Sequence, residues 1–151
     1  MKPTLGMRSG ELERSARLGE YFFQVGRKSL GHHPSVGDVC GKGLVMGIEL
    51  VRNKRTKEPF PPKLKAGNRF QQIAMSHGCM VYPTFMVDHC TRGDQYLVSA
   101  QYIIDEEQID EAFAMLDAAQ TDFEREFLTQ LTCARCLRRR HRFDKRKYVY
   151  R

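Results

Sequence analysis

A chain of 151 residues is one domain's worth, and a domain of that size buries about 68–70% of the surface its unfolded form exposes, enough for a packed core. No run of 18 apolar residues and no apolar signal segment follows Met1, which argues against a membrane span or secretion and for a cytoplasmic protein. The net charge of +7 excludes little, because nine of the 25 cations and one of the 18 acids fall in the last seventeen residues, so +8 belongs to a tail and the rest of the chain carries −1. The five cysteines, Cys40, Cys79, Cys90, Cys133 and Cys136, are odd in number and scattered. They fit free thiols in a reducing compartment better than a disulfide framework.

Residues 1–10, with Pro3, Gly6 and Gly10, show no periodicity and read as a loose lead-in. From Glu11 to about Leu30, Leu12, Ala16, Phe22 or Phe23 and Val25 recur at helical spacing among charged residues, so an amphipathic helix is expected. Ser9 or Gly10 would cap its start, and Gly31 with Pro34 would stop it. The clearest strand is Leu44 to Val51, where Leu44, Met46, Ile48 and Leu50 alternate with Val45, Gly47, Glu49 and Val51. Gly41 and Gly43, on either side of Lys42, allow a tight entry turn with positive φ. Gly47 reads as a twist-relieving residue, a bulge or the mark of a close neighbour.

The charged, proline-rich run from Arg52 to Pro62 cannot be a central strand and reads as a surface connection. A helix is expected from about Pro62 to His77, with Gly78 at its C′ position. Met80 to Tyr82 reads as a short strand ended by Pro83, Thr84 to Gly93 as a loop, and Tyr96 to Ala100 as a third strand. Asp105 and Gln108 form a capping-box start to a helix of about 26 residues, whose apolar stripe Ile109, Phe113, Leu116, Phe123, Phe127 and Leu131 is interrupted by Gln120. The order of elements gives an α+β domain, a small, mainly antiparallel three-stranded sheet covered by helices on one face.

Two ordered blocks carry a resemblance: L-G-E-Y-F-F-Q-V … H-P-S-V-G-D-V-C-G-K-G-L-V-M-G-I-E-L-V-R-N-K-R-T-K-E-P-F-P-P from Leu18 to Pro62, and R-G-D-Q-Y-L-V-S-A-Q-Y-I-I-D-E-E-Q-I-D from Arg92 to Asp110. Together, over roughly Leu12 to Leu131, the chain resembles the C-terminal small domain of class III (omega-type) aminotransferases, pyridoxal-phosphate enzymes of fold type I. With the resemblance giving a small domain over 11–131, the chain divides into the lead-in over 1–10, that domain and a basic tail over 132–151. The resemblance implies a truncated or fragmentary transaminase whose parent moves an amino group from an amine or amino acid to a keto acid or aldehyde. The Schiff-base lysine and the phosphate cup would belong to a large domain, so no catalytic, cofactor-binding or metal residue is assigned here, and pyridoxal phosphate is not expected to bind tightly to this chain alone. The implied partners are that large domain or a second subunit, as a homodimer, with small amine and keto acid substrates.

Three residues are candidates for facing substrate. Lys42 sits between glycines in a structured turn. Tyr82 stands just before the proline of the second strand, where the family's carboxylate-gripping arginine is placed, and Arg92 lies before the third strand and could take over that grip. Further departures are Cys40 at a family arginine and Ala100-Gln101 at a proline pair that would fix the turn.

Cys133-Ala-Arg-Cys136 with His141 has metal-like spacing but too few ligands for a closed zinc site, and reads as free thiols. His32-His33, His77 and His89 read as capping or loop residues. The cationic tail with Phe143, Tyr148 and Tyr150 supports an alternative function, a stand-alone α+β binding module for nucleic acid or an acidic partner. It ranks below the transaminase reading, and neither nucleic acid nor a membrane is an expected partner.

Overall fold

A computed structural model describes residues 11–88 and 92–132. The elements run α1 (Glu11–Leu30), β1 (Val36–Lys42), β2 (Val45–Asn53), β3 (Glu58–Pro59), a 3-10 turn (Pro62–Leu64), α2 (Ala66–Ser76), β4 (Tyr82–Asp88), β5 (Arg92–Ser99) and α3 (Glu106–Thr132). The fold is α+β, built on an antiparallel sheet in the order β1-β2-β5-β4, with β3 added against β2.

The expected alternation holds for the covered face from Leu44 to Leu50, while Val51, expected on the opposite face, is fully buried as well. Leu44, Met46, Ile48 and Leu50 are all buried, and Tyr96 and Val98 of β5 lie directly across from Ile48 and Met46 on the same face. All three helices pack there. A Cβ on Gly26 of α1 would run into both Met46 and Phe113 of α3, while Tyr96 stacks on Phe70 of α2 with ring centroids 4.0 Å apart. Phe60, Phe70, Phe123 and Phe127 complete an aromatic cluster, with Phe123 edge-on to Phe60 and Phe70 and stacked on Phe127. Such rings dominate core energetics through area and edge-to-face geometry.

The β1–β2 link is a two-residue hairpin turn. Lys42 pairs with Val45, and Gly43, at φ +63°, takes the first loop position as the tight connection of a hairpin requires. Gly19 of α1 backs onto this turn so closely that a Cβ there would lie 2.8 Å from Gly43 Cα. Gly47 has an ordinary environment by contrast, since a Cβ would sit 3.4 Å from Leu97 Cδ2 and 3.6 Å from Cys40 Sγ, its two cross-strand neighbours.

The sheet holds five strands where the sequence pattern predicts three. β1 is missing from the pattern because V-G-D-V-C-G-K, at the edge of the sheet, buries only Val36 and Val39 and alternates poorly. β3 is a two-residue pairing inside the charged connection. Pro83 does not end β4 but sits inside it, across from Tyr96, and the strand runs on through the expected loop to Asp88. An edge strand permits this, because a proline there forfeits no ladder bond that a second neighbour would need. The expected Pro62–His77 helix is split at Lys65, whose φ of +47° separates the 3-10 turn from α2. α2 has no local side-chain cap; Asp94 of β5 accepts from Ala66 N–H at 3.1 Å instead.

The capping box at α3 forms in both directions, Gln108 N–H to Asp105 Oδ1 at 2.9 Å and Asp105 N–H to Gln108 Oε1 at 3.2 Å. Gln120 interrupts the apolar stripe yet is fully buried. It accepts from the Tyr96 hydroxyl at 3.0 Å and donates to Ser35 Oγ at 2.6 Å, so its amide costs no unpaired group.

Candidate functional site

No helix among the described residues lies over the second face of the sheet. Register places Cys40, Gly47, Leu97 and Tyr82 in one row across four strands, and Lys42, Val45 and Ser99 in the next. Tyr82 is 68% exposed and Val45 45%, and Lys42, Cys40 and Ser99 are exposed as well. An apolar valine and a tyrosine left open on a sheet face, framed by a lysine and a serine, form a surface suited to packing against another body. Lys42 and Tyr82 share this face without meeting. Three strand spacings of about 4.8 Å and a two-residue offset put their Cα atoms roughly 16 Å apart. Arg92 opens β5 rather than lying in a loop, and its side chain is outside the described residues. On the same face Thr84 Oγ1 is buried without a hydrogen-bond partner among the described residues.

At one end of this face a cleft of about 320 Å³ lies between Ser15 and Ala16 of α1, the Lys42–Gly43 turn, and Ser99, Ala100 and Tyr102. The Ala100-Gln101 link that borders it lacks the family's proline pair, but it is tied down otherwise. Ala100 N–H donates to Leu44 O at 2.9 Å, and the Arg14 guanidinium donates to Tyr102 O at 2.9 Å and Ile104 O at 2.8 Å. A planar fork that spans two carbonyls fixes the turn from outside the chain segment, as proline would from within.

A connected set of buried polar groups lies on the other side, under the helices. His33, 3% exposed, faces a carboxylate oxygen with each ring nitrogen, Glu124 Oε2 from Nδ1 and Asp117 Oδ1 from Nε2, both at 3.0 Å. Burial alone would pull its pKa down, but the hydrogen bonds to Glu124 and Asp117 outweigh it and hold the imidazole above its ordinary value. Burial would likewise raise the Glu124 carboxyl, yet His33 and the Ser35 hydroxyl and N–H bring it below its ordinary value. From Ser35 the chain of bonds continues through Gln120 to Tyr96, whose phenol burial pushes well above its usual pKa. Burial also raises the Asp94 carboxyl, partly offset by the Ala66 and Gly67 N–H groups it caps.

Sequence reasoning placed His33 and His77 in loop or capping roles. The structure gives each a carboxylate partner on α3, Asp117 and Glu124 for His33 and Asp122 at 2.9 Å for His77. The available signal was the seven-residue spacing of Asp117 and Glu124, which puts both acids on one side of α3. His89, Cys90 and the Cys133, Cys136 and His141 group, with the basic tail, lie outside the described residues. Cys40 and Cys79 are free thiols.

Pyridoxal phosphate forms its Schiff base with a lysine. It needs an amine desolvated or depressed in pKa, and every lysine among the described residues is exposed. Lys54 and Lys57 are engaged instead in pinning backbone carbonyls, Lys54 those of Gly31 and His33 and Lys57 that of Gly37. No described helix is long and apolar enough to cross a membrane.

No family model matches the chain. Individual proteins do. An uncharacterized aminotransferase of Schizosaccharomyces pombe is 40% identical over 118 residues, which span 78% of this chain and 26% of that protein. The chloroplastic gamma aminobutyrate transaminase 3 of Solanum lycopersicum is 33% identical over 68% of this chain and 18% of its own length. Among solved structures, a pyridoxal-phosphate-bound aminotransferase mutant from Vibrio fluvialis superposes with a TM-score of 0.69 at 26% identity, over 80% of this chain and 25% of that one. The chain thus spans about a quarter or less of the length of these relatives, along a C-terminal segment of the structural neighbours. A stand-alone binding module finds no support among them.

Proposed function

The chain belongs to the class III (omega-type) aminotransferase family, and on that premise we propose that it works as the small domain that walls one side of a transaminase's substrate site. Its bare sheet face turns toward a large domain, or toward a second subunit of a homodimer, that carries the pyridoxal phosphate. The reaction of the whole would move an amino group from an amine or amino acid to a keto acid or aldehyde, with the cofactor supplying the electron sink. This chain's residues would bind and orient substrate and exclude water.

The observation behind this reading is the one-sided sheet, with three helices on one face and Tyr82, Val45 and Lys42 open on the other. Tyr82, Lys42 and Arg92 are the residues proposed to face substrate. A phenol offers a carboxylate one hydrogen bond where an arginine fork offers two, so carboxylate recognition here rests on Tyr82 alone or on Arg92.

A graft tests the reading. Residues 11–132 would replace the matching segment of the Vibrio fluvialis enzyme, and transamination would be followed by loss of the amino donor. The expected result is a cofactor-loaded, active chimera in which Tyr82→Ala raises KM for the carboxylate partner. A chimera that loads cofactor and shows no transfer would sink the proposal. So would a borohydride-fixed adduct at one defined lysine of the isolated chain, since the cofactor chemistry would then lie in this segment.

A further inference from the structure

We propose that His32, His33 and Asp117 form a binding site for a divalent transition-metal ion of the zinc type, with Glu124 orienting His33 from behind. The three ligand atoms lie within 4.8 Å of one another. Asp117 Oδ1 is 3.0 Å from His33 Nε2 and 3.7 Å from His32 Nε2. Two ligands bonded to one zinc at about 2.0–2.1 Å in a tetrahedron stand roughly 3.3 Å apart, between those two distances.

The far side of the His33 ring carries the case. Glu124 Oε2 is 3.0 Å from Nδ1, and its other oxygen is held by the Ser35 N–H at 3.0 Å and the Ser35 hydroxyl at 2.5 Å. A carboxylate can only accept, so Nδ1 carries a hydrogen, and in the neutral ring the lone pair is on Nε2. That lone pair points at the Asp117 carboxylate oxygen. Two lone pairs at 3.0 Å repel unless a cation lies between them, and the cation is either a proton or a metal ion. The order carboxylate, imidazole, metal is the one that fixes tautomer and ring direction in ligating histidines.

The surroundings suit a ligand as well. His33 is buried and its carbonyl is held by Lys54 Nζ at 3.1 Å, so its ring direction is set before an ion arrives. The side chains of His32 and Asp117 are 63% and 42% exposed, which gives an ion a route in and leaves water to complete its coordination. Two imidazoles and one carboxylate favour zinc, nickel or copper over magnesium or calcium, which take oxygen ligands. A bound ion would tie the turn after α1 to α3.

Cobalt(II), a coloured stand-in for zinc, is the probe. It would be titrated into the full 151-residue chain carrying Cys133→Ser, Cys136→Ser and His141→Ala, so that the tail cannot supply ligands. The expected result is a saturable visible absorption at about one equivalent that zinc displaces. His32→Ala, at an exposed position, should leave the melting curve of the metal-free chain unchanged and weaken binding more than about tenfold. Glu124→Gln, which keeps an acceptor but loses the charge, should weaken it about 10–100-fold. No absorption, or an absorption that His32→Ala leaves unchanged, overturns the site.

Discussion

The two faces of the sheet are made from the same strands and differ in almost everything else. Under the helices lie Met46, Ile48, Leu50, Tyr96 and Val98, closed over by Phe22, Phe70, Phe113 and Phe123, with each polar group in the Ser35–Gln120–Tyr96 chain satisfied. Across the backbone lie Cys40, Lys42, Val45, Ser99 and Tyr82, open to solvent, and a threonine hydroxyl with no partner among the described residues. One face holds the domain together, and the other is left open among the described residues. Stability and function should therefore separate by face.

The largest effect is expected on the covered face. Phe123→Ala empties the centre of the aromatic cluster and should cost about 3–5 kcal/mol, read from urea denaturation. A cost below about 1 kcal/mol would mean that the helices do not pack as described. Gly19→Ala tests the contact between α1 and the β1–β2 turn. The added methyl meets backbone at 2.8 Å, so overpacking of about 1–3 kcal/mol should exceed the gain in helix propensity of at most about 1 kcal/mol. A net stabilisation would contradict that close approach.

The His33–Glu124 pair gives a pH signature to the covered face in metal-free protein. His33 has a raised pKa, so its contribution is complete below its unfolded value of 6.5 and is lost as pH rises through the folded value. Glu124 has a lowered pKa, so its contribution is complete above its unfolded value of 4.5 and is lost as pH falls through the folded value. The pair should therefore contribute most between about pH 4.5 and 6.5. Stability measured by urea midpoint should decline on either side of that window, and His33→Gln should flatten the alkaline limb; an unchanged limb would place the titration elsewhere.

The smallest effect on stability is expected on the bare face. Val45→Thr and Tyr82→Ala should each change the unfolding free energy of the chain by no more than about 0.5 kcal/mol. A loss above about 2 kcal/mol at either site would erase the distinction between the faces.

The resemblance in the two sequence blocks and the local patterns reached the same domain by separate routes. β2, the long α3 helix, its capping box and the Gly43 turn were legible because each rests on residues within a few positions of one another, where periodicity and backbone preference act directly. Of the candidate site residues, Lys42 closes β1 just before the turn in which the sequence placed it, while Arg92 moved from a loop to the start of a strand. Pro83 misled, because a proline's cost in a strand depends on whether the strand is an edge, and that is a property of the sheet.

What the sequence determined by itself was thus the three helices in outline, β2 and β5 and, through alternation and the helical stripe, the buried side of β2 up to Leu50 and of α3. Only the tertiary structure decided that β1 pairs at all, that Asp94 caps a helix 28 residues before it in the chain, and that His33 sits between two acids more than 80 residues away. It also decided that Lys42 and Tyr82 share an open face. Those contacts join groups distant in the chain, and their energy appears only once the core has paid the entropy of bringing the segments together.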